Sequence, residues 1–405
     1  MKILAFNAGS ISIKYQLFDM TDQSVLVAGI LDGIGRTYSR LKHRRRDSKG
    51  KFKEYFDEAP VADHQDGFRT IKEFLSDPDK GWDLSDLFGI GHRVVHGGEA
   101  FQEPALINDE VISDIKAMIP LAPLHNPASL IGLEVARDLY PDVPQVAVFD
   151  TAFHQTMPPH AFHYAVPHDL YARYQVRRYG FHGISYQYVA RQAAASLNKP
   201  LNKLNAITLH LGNGASAAAI QAGRSIDTSM GMTPLEGLVM GTRCGDLDPS
   251  IPGYLAREMG KTSEEIDALL EHQSGLQGLC GTSDVRELVS RAESGDPPAS
   301  LALQMFCYRV KKYIGAYFAV LGQVDVIVFT GGIGENSQVV RRRCLQGLTC
   351  LGVDMDEDRN QARINGPTEI QSDRSRVKVL VIPTNEELQI AIETVECIQG
   401  ACEKS

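Results

Sequence analysis

The sequence lacks the features of membrane proteins and of secreted proteins stabilised by disulfides. No stretch approaches the roughly 18 apolar residues that a spanning helix needs, and the apolar run from Met1 to Phe6 is too short for a signal peptide. The seven cysteines include no Cys-x-x-Cys pair, and no histidine lies near them at zinc-binding spacing. We therefore expect a cytoplasmic protein with free thiols and no membrane partner.

Positive charge is also scarce, because 41 lysines and arginines stand against 50 aspartates and glutamates. The formal charge of −9 argues against a nucleic-acid partner, since a phosphate backbone needs a positive surface. A bound nucleotide would therefore need local cations and a magnesium ion.

The basic segment Lys42–Arg46 precedes the turn residues Asp47–Gly50, which predicts a solvated hairpin. A polyanion-binding patch is the alternative for this segment.

The length and composition predict two domains with ordinary cores. The chain has 405 residues, of which 43% are apolar and 22% are charged. A strand, a small-residue turn and a second strand are predicted at Ile3–Phe18 and again at Ala206–Ile220. Two halves that open in the same way suggest a duplicated domain with a cleft between the copies.

Hydrophobic periodicity predicts an α/β fold. Predicted strands cover Ile3–Phe6, Ile11–Phe18, Gln145–Phe149, Val324–Thr330 and Val377–Ile382. Predicted helices cover Asp109–Met118, Pro127–Leu139, Tyr186–Leu197, Ser263–Leu270, Ala299–Leu321 and Asn385–Ile398. We expect the boundary between the domains near residue 150, where a strand ends.

Three turns rich in glycine or serine are candidates for phosphate binding, namely Asn7–Lys14, His210–Gly214 and Thr330–Asn336. Their backbone N–H groups can approach an anion closely because little or no side chain intervenes. None fits the P-loop or the dinucleotide-binding pattern. Each alone is typical of an ordinary tight turn, but three that follow predicted strands indicate a phosphate site.

Four residues near glycines or strand ends are candidates for chemistry. Arg93 and Arg243 each lie among glycines and can bind a carboxylate or phosphoryl group with bidentate geometry; a surface ion pair is the alternative. Asp150 follows a buried strand, the usual position for ligand chemistry in α/β sheets. His182 can donate a hydrogen bond to a phosphoryl oxygen, or can be a structural histidine.

Glu386 also follows a predicted buried strand, where it can hold magnesium or favour the start of the next helix.

Together, the three turns and the segments around these candidate residues resemble the acetate and propionate kinase family, which belongs to the superfamily of sugar kinases, actin and heat-shock ATPases. Further matching segments are Ala122–Pro127, Val148–Pro158, Asp227–Gly237 and Phe329–Asn336.

The resemblance implies two duplicated domains of the actin-like ATPase, ribonuclease H-like type, with an interdomain cleft. Residues 1–150 with a C-terminal helix at 386–405 would form the acceptor-side domain, and residues 151–385 the nucleotide-binding domain. The implied activity is reversible phosphorylation of acetate by ATP to give acetyl phosphate, by direct in-line transfer, in a homodimer. The alternatives are a propionate or other short-chain acyl kinase, a phosphorylated Glu386 intermediate, and a non-enzymatic nucleotide clamp like actin or the chaperones.

The resemblance also implies roles for individual residues. The implied catalytic residues are Arg93, Asp150, His182 and Arg243. The implied nucleotide-binding residues are Lys14, His210, Leu211, Gly212, Asn213, Gly214, Asp284, Arg286, Gly331, Gly332, Ile333, Gly334 and Asn336. Ser10, Ser12 and His125 would lie near the phosphates, and Asn7 and Glu386 near Mg²⁺, for which Mn²⁺ could substitute.

The implied acceptor pocket consists of Arg93, Val95, Leu124, Phe181 and Pro234. A valine at position 95 leaves room for a methyl group, whereas an alanine would admit one more methylene, so we expect a preference for acetate over propionate. This sequence departs from the family pattern at Ile11, Ile184, Tyr186 and Cys244. The changes at Ile184 and Tyr186 bear on the support of His182, and a thiol at Cys244 suggests sensitivity to alkylation.

Overall fold

The structure is a computed structural model that describes residues 1–9, 11–123 and 125–402 of the chain. Ser10 and Leu124, expected in the phosphate turn and the acceptor pocket, lie outside the described residues. The chain divides into two compact units, Met1–Phe153 with Asn385–Ser405 and His154–Thr384. Among the described residues, no helix combines the length and the apolar character needed to cross a membrane.

Helices and strands are mixed along the whole described chain, which confirms the predicted α/β class. The strands are β1 (Lys2–Ala8), β2 (Ser12–Asp19), β3 (Ser24–Asp32), β4 (Ser39–Arg46), β5 (Phe52–Ala59), β6 (Leu87–Val94), β7 (Ala105–Leu106), β8 (Gln145–Phe149), β9 (Ala206–Leu211), β10 (Ala215–Gln221), β11 (Arg224–Thr228), β12 (Val326–Thr330), β13 (Thr368–Glu369) and β14 (Lys378–Val381). The α-helices are α1 (His64–Ser76), α2 (Asp109–Ala117), α3 (Asn126–Leu139), α4 (Pro159–Phe162), α5 (His168–Tyr174), α6 (Gly183–Ser196), α7 (Ser250–Met259), α8 (Ser263–His272), α9 (Gly275–Cys280), α10 (Val285–Glu293), α11 (Pro297–Leu321), α12 (Gly331–Asn336), α13 (Gln338–Leu345), α14 (Glu357–Gln361) and α15 (Glu386–Cys402). Short 3-10 helices lie at Ile119–Leu121, Ala152–Thr156, Leu201–Lys203 and Thr349–Leu351.

The first unit is built on a sheet with the strand order β5-β4-β3-β2-β1-β6-β8-β7. β1 pairs antiparallel with β2 and parallel with β6, and β6 pairs parallel with β8. Most of β1 is buried, as expected of a central strand. The parallel strands end at one edge of the sheet, where Asn7, Arg93 and Asp150 lie.

The second unit contains a sheet with the order β11-β10-β9-β12-β14-β13. β9 pairs antiparallel with β10 and parallel with β12, and β12 pairs parallel with β14. Five strands in each unit therefore share one order and one set of directions, β3-β2-β1-β6-β8 in the first and β11-β10-β9-β12-β14 in the second. This shared topology supports the duplication predicted from the repeated strand, turn and strand.

The predicted elements are present, and most of their ends differ from the prediction by a few residues. Helix α6 begins at Gly183 rather than Tyr186, because His182 adopts a left-handed backbone conformation with φ of 60° and leaves Gly183 free to start the helix. Helix α15 continues to Cys402 beyond the predicted end at Ile398. The basic segment forms the predicted hairpin of β4 and β5, whose turn is closed by Asp47 Oδ1 accepting from two backbone N–H groups at 2.8 Å.

Close packing of α15 on β6 depends on two glycines of that strand. A Cβ added to Gly89 would lie 2.4 Å from Cδ1 of Ile398, and one added to Gly91 would lie 2.2 Å from Oγ1 of Thr394. Any larger side chain would push the helix away from the sheet. The packing therefore fixes the position of the first turn of α15, which carries Glu386.

Candidate active site

A cluster of polar side chains in the first unit lies where β1, β6 and β8 end. Nε of Arg93 donates to Oδ2 of Asp150 at 3.0 Å, Nη2 contacts the same oxygen, and Nη1 donates to Oδ1 of Asn7 at 3.0 Å. Asp150 is only 1% exposed. Burial lowers the pKa of Arg93, but the attraction of Asp150, Glu386 and Glu387 outweighs it and raises the pKa above its usual range. Arg93 therefore remains a fixed cation that can hold an anionic acceptor.

The first turn of α15 adds carboxylates to this cluster. Nδ2 of Asn7 lies 3.5 Å from Oε2 of Glu386 and 3.4 Å from Oε1 of Glu387. Burial raises the pKa of Glu386 to about 7, with Asp150 and Glu387 adding to the effect and Arg93 opposing it. At neutral pH a large fraction of the Glu386 side chains therefore carries a proton, unless a metal ion binds beside the carboxyl group.

The cluster offers oxygen atoms to a cation, although it does not form a complete protein cage. Oδ1 of Asp150 is buried and has no hydrogen-bond partner among the described residues. The negative charge of Asp150 also raises the pKa of Glu386, so the two carboxyl groups lie near each other. Within the described part of the chain, no group of three or more His, Cys, Asp or Glu side chains could hold a metal ion. This donor set fits Mg²⁺, which retains several waters and binds through one or two carboxylates and substrate phosphates.

In the second unit, the turn between β9 and β10 has two nitrogen donors beside it. A Cβ placed on Gly214 would lie 3.5 Å from Nη1 of Arg243 and 3.6 Å from Nε2 of His182. The Arg243 guanidinium has no ion pair among the described residues, and burial lowers its pKa while Glu271 opposes the shift. A largely buried cation without a carboxylate at contact distance is a suitable site for an anion.

Two neighbouring loops shape the backbone of this turn. The N–H of Gly241 donates to the carbonyl of Asn213 at 2.9 Å, and a Cβ on Gly241 would lie 2.0 Å from Oδ1 of Asn213. Gly331 has a φ of +76°, and a Cβ there would lie 2.7 Å from the carbonyl oxygen of Leu211. The glycines thus allow the Thr330–Asn336 segment to approach the His210–Gly214 turn, as phosphate binding by backbone N–H groups requires.

His182 is held from behind by side chains of α6 and β10. Its Nδ1 lies 2.8 Å from Oγ of Ser216, which also contacts the hydroxyl of Tyr186. The His182 ring stacks on His210, with the ring centroids 4.2 Å apart, and Nδ1 of His210 lies 2.8 Å from Oγ of Ser185. Tyr186, one of the residues that depart from the usual family pattern beside His182, therefore belongs to the hydrogen-bonded surroundings of His182.

A cavity of about 850 Å³ in the second unit contains many of the residues expected to bind the nucleotide. Its lining includes Asn213, Asp284, Arg286, Gly332, Ile333 and Asn336. Asp284 caps α10 and accepts from Nη2 of Arg286 at 2.6 Å. An open cavity of this size, bordered by a glycine turn, can accommodate an adenosine group. A larger cavity of about 930 Å³ in the first unit, beside α2 and α3, contains none of the predicted site residues.

The remaining predicted residues are found in different surroundings. Leu211 is fully buried, so it can contribute only its backbone, and Gly212 and Gly334 lie beside it in the two turns. Lys14 is exposed on β2, where it lines a separate cavity of about 340 Å³, and Ser12 begins that strand. His125 precedes α3 and is partly exposed.

The described residues of the predicted acceptor pocket differ in burial. Val95 and Phe181 are buried, and Pro234 is partly exposed. Ile11 is 38% exposed, which leaves its side chain outside the core. Burial raises the pKa of Cys244, and this lowers the thiolate fraction on which the expected sensitivity to alkylation depends.

Sequence reasoning missed the roles of Glu335 and Ser216. Oε1 of Glu335 accepts from the N–H groups of Gly331 at 2.9 Å and Thr384 at 3.1 Å, so it braces the glycine turn. The position of Glu335 within the Thr330–Asn336 turn was the sequence signal that could have revealed this role. Ser216 could have been found from its position opposite His210 on paired strands.

Comparison with known proteins identifies the family. The sequence model described as the acetokinase family matches residues 2–392. The chain belongs to this family. It is 55% identical to the acetate kinase of Syntrophobacter fumaroxidans over 402 residues, which cover 99% of this chain and 98% of the relative.

Solved structures show the same similarity. The crystal structures of an acetate kinase from Porphyromonas gingivalis and of a propionate kinase from Francisella tularensis each superpose with a TM-score of 0.91 at 42% identity. Each match covers 98% of this chain and 99% of the other. The fold of the two-unit chain is therefore that of acetate and propionate kinases, as the sequence predicted.

Proposed function

We propose that this protein is an acetate kinase that transfers the γ-phosphoryl group of ATP reversibly to acetate, forming acetyl phosphate and ADP in the cytoplasm. The observation that carries the proposal is that Arg243 and His182 both place a side-chain nitrogen beside Gly214 of the His210–Gly214 turn. The acetate kinases among its relatives support the same activity. A non-enzymatic nucleotide clamp would have no need of these two donors together with the fixed cation Arg93.

Acetate is a weak base and carries no proton on its attacking oxygen, so the enzyme needs no general base. Catalysis depends on orientation and on neutralisation of charge. Arg93, held by Asp150 and Asn7, binds the acetate carboxylate. Arg243 and His182 donate to the equatorial oxygens of the transferring phosphoryl group, where negative charge develops.

The residues that would hold Mg²⁺ are Asp150 and Glu386, directly or through water, with Asn7 beside them; Mn²⁺ has compatible ligand preferences. When bound, the ion neutralises charge on the β and γ phosphates. The feature that supports this assignment is Oδ1 of Asp150, which is buried and for which the described part of the chain supplies no hydrogen-bond partner. The assignment also explains how a carboxyl with the raised pKa of Glu386 becomes a carboxylate in the working enzyme.

A direct in-line transfer fits the charge of the site better than an intermediate phosphorylated on Glu386. In the working enzyme Glu386 would hold the cation, so its oxygen lone pairs are engaged in metal binding rather than free to attack phosphorus. Glu386 also lies beside the carboxylates of Asp150 and Glu387, which repel an approaching phosphate.

Propionate is the second candidate acceptor, because the propionate kinase from Francisella tularensis is as similar in structure as the acetate kinase from Porphyromonas gingivalis. We favour acetate because Val95 is a branched, buried residue, and its second methyl group takes the volume that another methylene would need.

We also propose a homodimer. Leu301, Met305 and Tyr308 are 54%, 37% and 64% exposed on α11. Their spacing of four and then three residues places them on one helix face. A second copy of the chain can cover this apolar face, and sedimentation of Met305→Glu alongside the wild type would test it.

The activity is tested by trapping acyl phosphate with hydroxylamine in the presence of MgATP and a series of short acids. We expect an acyl hydroxamate from acetate, a smaller yield from propionate, and at least a hundredfold loss with Arg243→Ala. Formation of ADP without any hydroxamate would contradict the proposed function, and equal kcat/KM for the two acids would contradict the acceptor assignment.

A further inference from the structure

A buried chain of three side chains stands behind the imidazole of His182. The hydroxyl of Tyr186 contacts Oγ of Ser216, and this Oγ lies 2.8 Å from Nδ1 of His182. Tyr186 and Ser216 are both fully buried. His182 is the N-cap of α6, and Tyr186 lies in the first turn of that helix.

Only one order of the hydrogen atoms gives every hydroxyl proton of this chain an acceptor among the described residues. The described residues offer the hydroxyl proton of Tyr186 no acceptor other than Oγ of Ser216. Ser216 therefore receives a proton from Tyr186 and donates its own to Nδ1 of His182. Burial raises the pKa of Tyr186, so the tyrosine keeps the proton that begins the chain.

The order of donors determines what His182 presents to a ligand. A neutral imidazole carries one proton, and if Nδ1 accepts, that proton is on Nε2. Nε2 is the atom that lies beside Gly214 together with Nη1 of Arg243. The opposite tautomer would direct a lone pair, rather than an N–H group, toward a phosphoryl oxygen.

We propose that Tyr186 and Ser216 are positioning residues that hold His182 as the Nε2–H tautomer, so that it donates to the transferring phosphoryl group. The value of this tautomer for catalysis rests on the proposed kinase function. The tautomer itself does not, because it is a property of the resting protein. His182 also has a left-handed backbone with φ of 60°, a conformation that residues other than glycine rarely adopt and that surrounding contacts must maintain.

The tautomer can be read directly by long-range ¹H–¹⁵N NMR of protein labelled with ¹⁵N-histidine, with His182 assigned through His182→Gln. We expect an unprotonated Nδ1 and a protonated Nε2 in the wild type. Tyr186→Phe and Ser216→Ala should each produce a mixture of tautomers. Tyr188→Phe, which removes a hydroxyl two residues further along the same helix, should retain the wild-type pattern. A protonated Nδ1 in the wild type, or an unchanged pattern in both Tyr186→Phe and Ser216→Ala, would overturn the proposal.

Kinetics give the second readout. Tyr186→Phe should lower kcat about tenfold while the KM values for ATP and acetate stay within about twofold, as expected for an interaction made mainly in the transition state. Ser216→Ala should lower kcat by the same factor, and the double variant should lower it no further than either single one. Ser216→Thr keeps the hydroxyl and should therefore retain most of the wild-type activity. Thermal unfolding identifies any variant that fails to fold.

The two proposals fail in different ways. If the wild type forms no acyl phosphate, the proposed function is wrong, and the NMR measurement still decides the tautomer. If acyl phosphate forms but the Tyr186 and Ser216 losses are additive, or appear only in KM, the positioning role is wrong and the kinase function stands.

Discussion

From the raised pKa of the half-buried Glu386 carboxyl we predict an unusual dependence of stability on pH. Burial raises its pKa from 4.5 to about 7 in the folded protein, with Asp150 adding to the effect and Arg93 opposing it. Between these two values the unfolded chain has released a proton that the folded protein still holds. Raising the pH therefore favours the unfolded state, and the stabilisation that exists below about pH 4.5 is lost as the pH rises through 7.

The size of the effect follows from the difference between the two pKa values. Each unit corresponds to about 1.4 kcal/mol, so a shift from 4.5 to 7 would change the free energy of unfolding by roughly 3 kcal/mol. Because Glu386 keeps part of its surface in contact with solvent, screening reduces this value, and we expect about 2 kcal/mol. Glu386→Gln removes the titrating group with little change in shape.

The assay is urea unfolding followed by the fluorescence of Trp82, the single tryptophan, which packs against the core of the first unit. Measurements at pH 5 and pH 8, without nucleotide and with EDTA, give the free energy of unfolding of the wild type and of Glu386→Gln. The variant should gain about 2 kcal/mol relative to the wild type over this range. Glu73→Gln, on the exposed surface of α1, controls for the loss of a carboxylate.

Two results would refute this reasoning. A difference between variant and wild type that does not change with pH would mean that Glu386 has its ordinary pKa. A wild type that gains stability relative to Glu386→Gln as the pH rises would mean that the attraction of Arg93 outweighs burial.

Three further predictions concern neighbouring residues. Val95→Ala should narrow the preference for acetate over propionate, which we expect to be about tenfold or more in the wild type, as measured by kcat/KM for both acids. Asp150→Asn should destabilise the first unit by about 3 kcal/mol, because it leaves Arg93 without its carboxylate. It should also lower the pKa of Glu386, because the charge of Asp150 raises that pKa. The same urea titrations measure both effects. Iodoacetamide at neutral pH should label the exposed Cys350 faster than Cys244, as followed by mass spectrometry, because burial raises the pKa of Cys244.

Local sequence patterns were enough to predict most of the framework. Gln145–Phe149 is a run of mostly apolar residues ending before a polar pair, and it forms β8 with the predicted ends. The start of α6 was displaced, because a glycine after a histidine indicates a loop and only the left-handed backbone of His182 allows Gly183 to begin the helix.

Residues of the candidate site were predictable where the chemistry depends on a strand end or a glycine turn, as for Asp150 and Arg243. Glu335 and Ser216 were not found, because their roles depend on partners far apart in the sequence. Glu335 accepts a hydrogen bond from Thr384, and Ser216 meets Tyr186 of α6. Such pairs arise from the packing of a helix on a sheet, which periodicity alone does not specify.

Direct transfer between ATP and acetate is the central claim, and the stereochemistry at phosphorus tests it most directly. ATP made chiral at the γ-phosphorus with ¹⁶O, ¹⁷O and ¹⁸O would be converted with acetate, and the configuration of the acetyl phosphate would be determined by ³¹P NMR. A single in-line displacement predicts inversion. Retention would require two displacements and would contradict the account in favour of a phosphorylated intermediate on a residue such as Glu386.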